Sequence, residues 1–260
     1  MNNIFITGAT SYLGKNFIKQ SPKFNFFALK HNSDLKTADN LVALSLSYGE
    51  ISSFLNNENI DYILHFANSQ HIEENIALSE CLCNLEVKTN VKKVIFSGSY
   101  YQDIYPKKKN SYIESKNISE KLFQDLSKKI NIQSTSIHFG DIYGPFDNRE
   151  KLIPFLLKNE NKKVVHFTSN GMTPFSPLHI KDATNAIKLE IENYNRKNFV
   201  TKNIGAPLIT TKKFVALYKE IRKKTFIEKY EANKKPDKYS KTFKPDNDLS
   251  ISLSKGLAEL

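Results

Sequence analysis

Short apolar runs rich in β-branched and aromatic residues alternate along the first half of the chain with longer stretches of helical periodicity. Helices are predicted near 50–57, 72–89 and 111–129, and the last carries Ile118, Leu122 and Leu126 at four-residue spacing. The predicted strands are residues 3–7, 24–29, 42–46, 62–66, 93–97 and 132–138. Strands that alternate with helices in this way predict an α/β fold with a doubly wound parallel sheet.

The net charge of +11 in 260 residues raises the question of nucleic-acid binding. Of the 38 basic residues, however, only Arg149, Arg196 and Arg222 are arginines. Lysine is the poorer reader of base edges and of bidentate phosphate. We therefore favour a solvated basic surface, and nucleic-acid binding stays the minor alternative.

Membrane and metal partners are not expected. No window approaches eighteen apolar residues, and the apolar run at residues 4–6 is too short for the core of a signal peptide. Cys81 and Cys83 lie two apart on a predicted helix, so they face different directions and form neither a disulfide framework nor a metal site. These features predict a soluble cytoplasmic protein.

The first predicted strand leads directly into a glycine-containing turn and the start of a helix. Gly8 suits the positive φ of a tight turn, and Gly14 allows the helix to pack closely on the strand. Ser11 stands where a phosphate-binding turn usually has its middle glycine; its Cβ takes up room, but its hydroxyl could donate to a phosphate oxygen. The helix N-terminus would present free N–H groups to a pyrophosphate, and the alternative is an ordinary strand–helix turn. The predicted cofactor contacts in this turn are Gly8, Thr10, Ser11, Tyr12, Leu13 and Gly14.

Lys30 and His31 follow the second predicted strand. A cofactor with a free ribose 2′-hydroxyl normally meets an Asp or Glu at this place, whereas a cation suits a 2′-phosphate. We therefore predict NADP as the cofactor, with NAD as the alternative.

Tyr-x-x-x-Lys places both side chains on one face of a helix, because residues four apart are neighbours. The chain contains three such pairs: Tyr105/Lys109, Tyr112/Lys116 and Tyr230/Lys234. Pro106 disfavours helix at the first pair, and no strand leads to the third. Only Tyr112 and Lys116 open an amphipathic helix, with Ser99 at the end of the strand before it.

Five landmarks in order resemble the extended short-chain dehydrogenase/reductase family, in its sugar-nucleotide epimerase, dehydratase and reductase branch. They are Thr7-Gly8-x5-Gly14, His65-Phe66-Ala67, Phe96-Ser97-Gly98-Ser99 with Tyr112-x3-Lys116, Asp141-Ile142-Tyr143-Gly144-Pro145, and Pro177-Leu178-His179-Ile180-Lys181-Asp182. The resemblance covers nearly the whole chain. It implies a Rossmann-type fold with a small C-terminal substrate-binding lobe, an NAD(P) cofactor and a nucleotide-sugar substrate.

By this resemblance Ser99, Tyr112 and Lys116 are the catalytic triad, and Tyr112, Lys116, Phe66 and Ala67 also touch the cofactor. A phenol with a pKa near 10 needs a neighbouring cation to act as an acid at neutral pH, and Lys116 would supply it. Tyr112 would then protonate a carbonyl oxygen as hydride arrives, while Ser99 polarises that oxygen. The alternative is a plain, exposed helix start.

Substrate contacts are expected from Ser99, Tyr101, Asp141 and Arg149. The alternative for Asp141 is a turn residue without contact to substrate.

The resemblance also suggests that Asn75 buttresses the triad, with a surface Asn as the alternative. It further suggests that His138 replaces a common Arg as a satisfied polar residue. In the basic C-terminal stretch, Lys234, Lys235 and Lys238 suit a diphosphate.

Family dehydratases carry an Asp-Glu pair after the catalytic Ser or Thr, and this chain has Tyr100-Tyr101 there. Without these carboxylates dehydration is disfavoured, and reduction or epimerisation at one sugar carbon remains. We expect an NADPH-dependent 4-keto-6-deoxy sugar-nucleotide reductase of cell-surface polysaccharide (lipopolysaccharide) synthesis, with a 4-epimerase as the first alternative. A non-catalytic redox sensor or scaffold on the same fold is the alternative of another class.

Residues 1–143 are expected to form the NAD(P)-binding core, to which residues 179–204 return. Residues 144–178 and 205–260 then form the smaller substrate-binding lobe. The resemblance also implies a homodimer that pairs the helices near 72–89 and 111–129.

Overall fold

The structure is a computed structural model that describes residues 1–30, 35, 37–105, 110–193, 197–231, 239, 243–246 and 249–260. The chain forms two compact units. Unit 1 comprises Met1–Gln102, Pro106–His138 and Thr184–Lys202, and unit 2 comprises Asp103–Tyr105, Phe139–Ala183 and Asn203–Leu260. The sequence predicts that the core and the smaller lobe separate at residues 143, 179 and 204. In the structure, unit 1 ends at His138, resumes at Thr184 and ends again at Lys202. The substrate-binding role of the smaller unit stays a prediction.

Short strands and helices alternate along the chain. In chain order the strands are β1 (Asn3–Thr7), β2 (Asn25–Leu29), β3 (Leu41–Leu44), β4 (Tyr62–His65), β5 (Lys93–Ser99), β6 (Gln133–Phe139), β7 (Asp141–Tyr143), β8 (Val164–Phe167), β9 (Pro174–Phe175), β10 (Pro177–His179), β11 (Phe199–Ile204), β12 (Ile209–Thr210) and β13 (Ile227–Tyr230). The helices are α1 (Tyr12–Lys19), α2 (Tyr48–Asn57), α3 (Ile72–Cys83), α4 (Tyr100–Ile104), α5 (Ser111–Ile130), α6 (Leu152–Asn159), α7 (Ile180–Glu192), α8 (Thr211–Arg222) and α9 (Leu253–Ala258).

A seven-stranded sheet in the order β11-β6-β5-β4-β1-β2-β3 forms the centre of unit 1. Strand β1 pairs in parallel with both β2 and β4, so Phe5 lies between Phe27 and Ile63. β3 and β5 continue the parallel arrangement on either side, which brings the carboxyl ends of these five strands to one edge. The chain order of the strands reverses between β1 and β4, and in folds of this type the ligand binds at that edge, beside the reversal. The predicted Rossmann-type α/β class is confirmed.

One face of the sheet packs against α2, α3 and α5 through an apolar core. It contains Phe5 of β1 and Leu55 of α2, both fully buried, and the aromatic pair Phe96 and Phe123, whose ring centroids lie 5.5 Å apart. Burying side chains of this size contributes about 1.5–3 kcal/mol each to folding. This core therefore fixes α5 against β5, the two elements that carry the predicted triad.

The apolar stripe predicted on α5 is displaced. Leu126 is buried, but Ile118 and Leu122 are only half-buried, and the buried face also includes Lys116 and Phe123. This face is partly polar because it carries the lysine of the predicted triad, so an apolar periodicity could not locate it.

The helix predicted over 72–89 ends earlier, at Cys83. The Asn84 carbonyl accepts from the Asn56 side chain at 3.2 Å, and the Glu86 N–H donates to Asn56 Oδ1 at 2.9 Å. These bonds from α2 hold the chain in a loop and satisfy backbone groups that a longer helix would have paired. The predicted end was wrong because its cause lies 28 to 30 residues away in the sequence.

Helices α3 and α5 pack against each other on the same face of the sheet, and both contribute to its apolar core. These are the helices whose pairing between two copies of the chain is implied by the resemblance. The homodimer itself stays a prediction.

A buried ion pair fastens α7 to the sheet. Lys93 Nζ, at the start of β5, donates to Glu190 Oε1 at 2.9 Å and to the Glu190 carbonyl at 2.7 Å. Lys202 Nζ lies 2.6 Å from the other Glu190 carboxylate oxygen. Burial alone would raise the pKa of Glu190, but its interactions with Lys202, Lys93 and Thr135 hold that pKa below its ordinary value.

The described part of unit 2 contains three two-stranded sheets: β10 with β7 and β13 with β8, both parallel, and β12 with β9, antiparallel. Its core includes the fully buried Leu156, Phe214 and Tyr218. Across the residues that the structure describes, no helix combines the length and apolarity needed to cross a membrane. Cys81 and Cys83 are free thiols.

Candidate active site

The turn after β1 is built on a left-handed glycine. Gly8 has φ +73°, and a Cβ placed on it would lie 2.5 Å from the Ala67 nitrogen and 2.6 Å from the Phe66 carbonyl carbon. A Cβ on Gly14 would collide with the Gly8 carbonyl oxygen. The backbones of three segments therefore meet at this turn, and only glycine fits at either position.

Ser11 begins α1 as its N-cap. Its φ of −66° is ordinary, so the position does not require glycine. Its Oγ accepts from the Gly14 N–H at 3.0 Å, which leaves the hydroxyl hydrogen as the group that could reach a ligand. Thr10 and Tyr12 are half-buried, whereas Leu13 is buried and offers its backbone alone.

The loop after β4 supplies backbone to the turn. The Phe66 ring is buried edge-on against Phe17, with ring centroids 6.2 Å apart, so it packs in the core. The Ala67 N–H donates to Thr7 Oγ1 at 3.3 Å. Phe66 and Ala67 thus frame the glycine turn through their main chain.

A buried polar chain connects this edge of the sheet to α3 and α5. Thr7 Oγ1 lies 2.7 Å from His65 Nδ1, and His65 Nε2 lies 3.3 Å from Ser79 Oγ. Ser79 Oγ in turn lies 2.7 Å from Ser119 Oγ. Burial, with the charge of Lys116, lowers the pKa of His65 to about 3, so the imidazole is neutral at physiological pH.

The Asn75 side chain holds the loop that follows β4. Its amide oxygen accepts from the Ser69 N–H at 2.6 Å, and its NH₂ donates to the Ser69 carbonyl at 2.9 Å. The Asn75 carbonyl accepts from Ser79 Oγ at 2.8 Å, next to the buried polar chain. Any support of the triad by Asn75 would therefore be indirect, and it stays a prediction.

The predicted triad lies on β5 and α5. Ser99 ends β5 and is buried, and its Oγ accepts from the Tyr101 N–H at 3.3 Å. Asn110 caps α5 by accepting from the Tyr112 N–H at 3.0 Å, which places Tyr112 in the first turn with 38% of its surface exposed. One helical turn later, Lys116 is 4% exposed.

Lys116 carries its amine into the protein interior close to Tyr112. Its Nζ donates to the Ser97 carbonyl at 2.8 Å and lies 5.8 Å from the Tyr112 ring centroid. It also lies 4.8 Å from the centre of the Phe96 ring. Burial lowers the pKa of Lys116 to about 7. A half-exposed phenol near a titratable buried amine is an arrangement that can hold and transfer a proton.

A family model described as the NAD dependent epimerase/dehydratase family matches residues 4–205. The chain belongs to the NAD-dependent epimerase/dehydratase family. The resemblance inferred from the five landmarks is confirmed, and so is the prediction that the chain is an enzyme. No curated protein matches the sequence.

Solved structures of this type share the fold across almost the whole chain. UDP-glucose 4-epimerase from Thermotoga maritima, solved with UDP-glucose, is 19% identical, with TM-score 0.76 over 99% of this chain and 96% of that one. UDP-N-acetylglucosamine 4-epimerase from Methanobrevibacter ruminantium is 17% identical, with TM-score 0.74 over 99% and 96%. dTDP-glucose 4,6-dehydratase from Bacillus anthracis, in complex with NAD, is 16% identical, with TM-score 0.78 over 100% and 95%.

Lys30, which is predicted to contact the ribose 2′-phosphate of NADP, is exposed just beyond β2. Its N–H donates to the Leu44 carbonyl at 2.7 Å, which fixes its backbone at the carboxyl edge of the sheet. His31, also predicted to contact the cofactor, lies outside the described residues, as do Lys234, Lys235 and Lys238.

Asp141 and Arg149, two of the predicted substrate contacts, form bonds within unit 2. Asp141 Oδ2 accepts from the Ser176 N–H at 3.1 Å. Arg149 donates to both carboxylate oxygens of Asp147 at 2.8 Å. Asp141 thus ties the start of β7 to Ser176, and Arg149 holds its own loop through Asp147. Contact of either residue with substrate stays a prediction.

Tyr101, the other predicted substrate contact besides Ser99, follows β5 directly. Its ring stacks on Tyr100 with centroids 4.5 Å apart. The contact orders the side chain at the carboxyl end of β5, and its role toward substrate stays a prediction.

Gln102 and Glu120 were missed by the sequence reasoning. The Gln102 amide accepts from the Ser99 N–H at 2.9 Å and donates to Glu120 Oε2 at 2.7 Å. Glu120 follows Lys116 by four residues, so helical spacing could have placed it on the same face. In the part of the chain that the structure describes, no cluster of His, Cys, Asp or Glu suits a metal ion.

Replacing Gly8 by Ala should destabilise the protein and abolish cofactor binding, because the positive φ costs about 1–2 kcal/mol and the new Cβ meets the Ala67 backbone. Gly49→Ala is the matched control, since nothing lies within 4 Å of a Cβ there and alanine favours its helix. Urea unfolding and NADPH fluorescence titration measure both effects. If Gly8→Ala and Gly49→Ala had the same stability and the same NADPH affinity, the close contact between Gly8 and the Ala67 backbone would not be required.

The free energy of unfolding should depend on pH through Lys116. The folded pKa of about 7 lies below the ordinary value of 10.5, so between these values the unfolded chain binds the extra proton and stability rises with pH. Relative to Lys116→Met, the parent protein should gain about 1 kcal/mol per pH unit in this range. Urea unfolding at several pH values above neutrality tests this, with the exposed Lys121→Met as control. The prediction would be refuted if the free energy of unfolding of the parent minus that of Lys116→Met stayed constant or fell as the pH rises.

Proposed function

We propose that the enzyme is an NADPH-dependent reductase of a nucleotide-linked 4-keto-6-deoxy sugar. The observation that carries the proposal is the position of the Lys116 amine 5.8 Å from the half-exposed Tyr112 ring, beside the carboxyl end of the strand that Ser99 terminates. A redox reaction at one sugar carbon needs a proton donor, a group that adjusts its acidity and a donor that polarises the oxygen. These three residues have the chemistry for those tasks.

The described residues fit a dinucleotide cofactor. Gly8 and Gly14 let the turn pack directly against the Phe66–Ala67 backbone and against itself, which gives the tight strand–turn–helix geometry of a phosphate-binding turn, and the α1 N-terminus lies directly after it. Gly8, Ser11 and Gly14 would hold the pyrophosphate there. When bound, the nicotinamide would supply the hydride.

Tyr112 would hold the proton at its phenolic oxygen and donate it to the sugar carbonyl oxygen. Its exposed ring gives a substrate access to that oxygen. The Lys116 ammonium would stabilise the phenolate left behind, since an opposite charge favours the ionised form. The Ser99 hydroxyl would donate to the same carbonyl oxygen and favour the charge that develops on it.

Dehydration is disfavoured by the residues after Ser99. Elimination of water from a sugar needs carboxylates to relay protons, and the next three residues are Tyr100, Tyr101 and Gln102. Tyr100 is 1% exposed, so it lies in the core. Reduction needs no such relay.

The exposed Lys30 beyond β2 supports NADPH as the reductant, because its cation suits a ribose 2′-phosphate. A reductase consumes one exchangeable NADPH in each turnover. The exposed Lys30 therefore favours reduction over an epimerisation, which would regenerate its cofactor in each turnover.

A 4-epimerase is the second candidate. The structures similar to this chain include epimerases of UDP-glucose and UDP-glucuronic acid, the latter solved with NAD. Epimerisation would use the same three side chains in both directions. It would oxidise and then reduce one carbon without net consumption of cofactor.

The stoichiometry of NADPH distinguishes the two candidates. With a panel of dTDP- and UDP-linked 4-keto-6-deoxyhexoses, we expect one NADPH consumed per sugar reduced, followed by absorbance and product chromatography. Product formed from UDP-glucose without NADPH loss would favour the epimerase. Absence of turnover on every sugar nucleotide, with NADPH bound, would favour the non-catalytic alternative.

Tyr112→Phe should lower turnover by about a hundredfold or more, the usual scale for a positioned acid. NADPH affinity should stay within about twofold, because the ring that packs remains and only the proton is lost. Tyr48→Phe, a comparably exposed tyrosine at the start of α2, is the control. Full activity of Tyr112→Phe on a verified substrate would overturn the mechanism.

NADPH should bind more tightly than NADH, and Lys30→Asp should narrow or reverse this preference. The carboxylate would repel the 2′-phosphate and accept a hydrogen bond from a free 2′-hydroxyl. Lys19→Asp makes the same charge change at the far end of α1 and serves as control. Fluorescence titration with both cofactors measures the ratio, and an unchanged ratio in Lys30→Asp would exclude the lysine as the selector.

A further inference from the structure

The side chain of Gln102 links the backbone of Ser99 to α5. Gln102 is buried; its Oε1 accepts from the Ser99 N–H at 2.9 Å, and its Nε2 donates to Glu120 Oε2 at 2.7 Å. The same Nε2 lies 3.1 Å from Asn117 Oδ1. One amide therefore connects the end of β5 to the helix that carries the proposed proton donor.

The orientation of this amide is determined by Glu120. Burial alone would raise the pKa of Glu120, but hydrogen bonds and charge from His138, with bonds from Gln102 and Ser136, hold that pKa below its ordinary value. An ionised carboxylate only accepts hydrogen bonds, so the NH₂ of Gln102 must face it. The carbonyl of Gln102 is thereby directed to the Ser99 N–H.

Glu120 is itself held from several sides. His138 Nε2 lies 2.8 Å and Ser136 Oγ 3.2 Å from its Oε2, and Thr201 Oγ1 lies 3.2 Å from its Oε1. His138 is thus the satisfied polar residue that the sequence predicted. The carboxylate is a fixed point against which Ser99 is placed.

The Gln102 amide also packs directly against the backbone of β5 at Gly98. A Cβ built on Gly98 would collide with the His138 ring and lie 2.9 Å from Gln102 Oε1. The absence of a side chain at Gly98 therefore lets the amide and the imidazole approach the strand, so both pack closely against it.

We infer that Gln102 is a positioning residue for Ser99, oriented by Glu120. This inference rests on the proposed function, in which the Ser99 hydroxyl must reach the same oxygen as Tyr112. A displacement of about 1 Å in such a group can cost a hundredfold in rate. Gln102 sets the position of Ser99 relative to α5, because its own anchor, Glu120, lies on that helix one turn beyond Lys116.

A double-mutant cycle tests whether Gln102 acts through Ser99. The variants are Gln102→Leu, Ser99→Ala and their combination, assayed for NADPH-dependent reduction of dTDP-4-keto-6-deoxyglucose. Gln102→Leu should lower kcat about ten- to a hundredfold in the parent and less than about threefold when Ser99 is already Ala. The Kd for NADPH should change less than about twofold, since the cofactor turn is untouched. Equal factors in both backgrounds would overturn the inference.

Two further variants guard against a simple folding defect. Gln124→Leu makes the same replacement at a half-buried position on α5 and should leave kcat unchanged. Glu120→Gln preserves volume but no longer restricts the orientation of Gln102, so it should lower kcat in the same Ser99-dependent way. If Gln102→Leu fails to fold, Glu120→Gln takes its place in the cycle, and additive losses there would equally reject the inference.

Hydrogen exchange separates this inference from the proposed function. The Ser99 amide should exchange at least about tenfold faster in Gln102→Leu than in the parent, with no substrate present. If no sugar nucleotide is reduced, the proposed function fails while this measurement still decides whether Gln102 holds Ser99. Unchanged exchange at Ser99 would refute the positioning role whatever the activity.

Discussion

The burial of the Lys116 amine is the constraint on which the rest of the site depends. An ammonium group taken out of water without partners is strongly disfavoured. The Ser97 carbonyl and the Phe96 ring compensate part of that cost, and the nearby His65 stays neutral. The surrounding elements are therefore arranged to tolerate a titratable amine in the interior, next to the half-exposed ring of Tyr112.

Six of the seven strands in the central sheet were predictable because they are short, apolar and separated by helices, and their ends differ from the prediction by no more than two residues. The seventh strand, β11, was not among the predicted strands. The turn after β1 was also predictable, since Gly8 and Gly14 mark positions that other residues cannot occupy. Both features are encoded within a few neighbouring residues. The same holds for the spacing of Tyr112 and Lys116.

Features that depend on distant residues could not be predicted in this way. The end of α3 is determined by Asn56 of α2, and the buried face of α5 includes Lys116 and its polar surroundings. Gln102 has no motif of its own, because its role exists only when β5 and α5 are packed together. Arg149 has the residue type of a phosphate ligand, but its bonds to Asp147 depend on the fold of its loop.

The ion pair between Lys93 and Glu190 limits how far the protein can fold while it is still being synthesised. The lysine is made early, in an interior strand of the sheet, and its carboxylate partner is translated 97 residues later. A nascent chain that ends before Glu190 would bury Lys93 without that partner. This part of the core can therefore close completely only after α7 has left the ribosome, and until then the start of β5 must stay accessible to water or to chaperones.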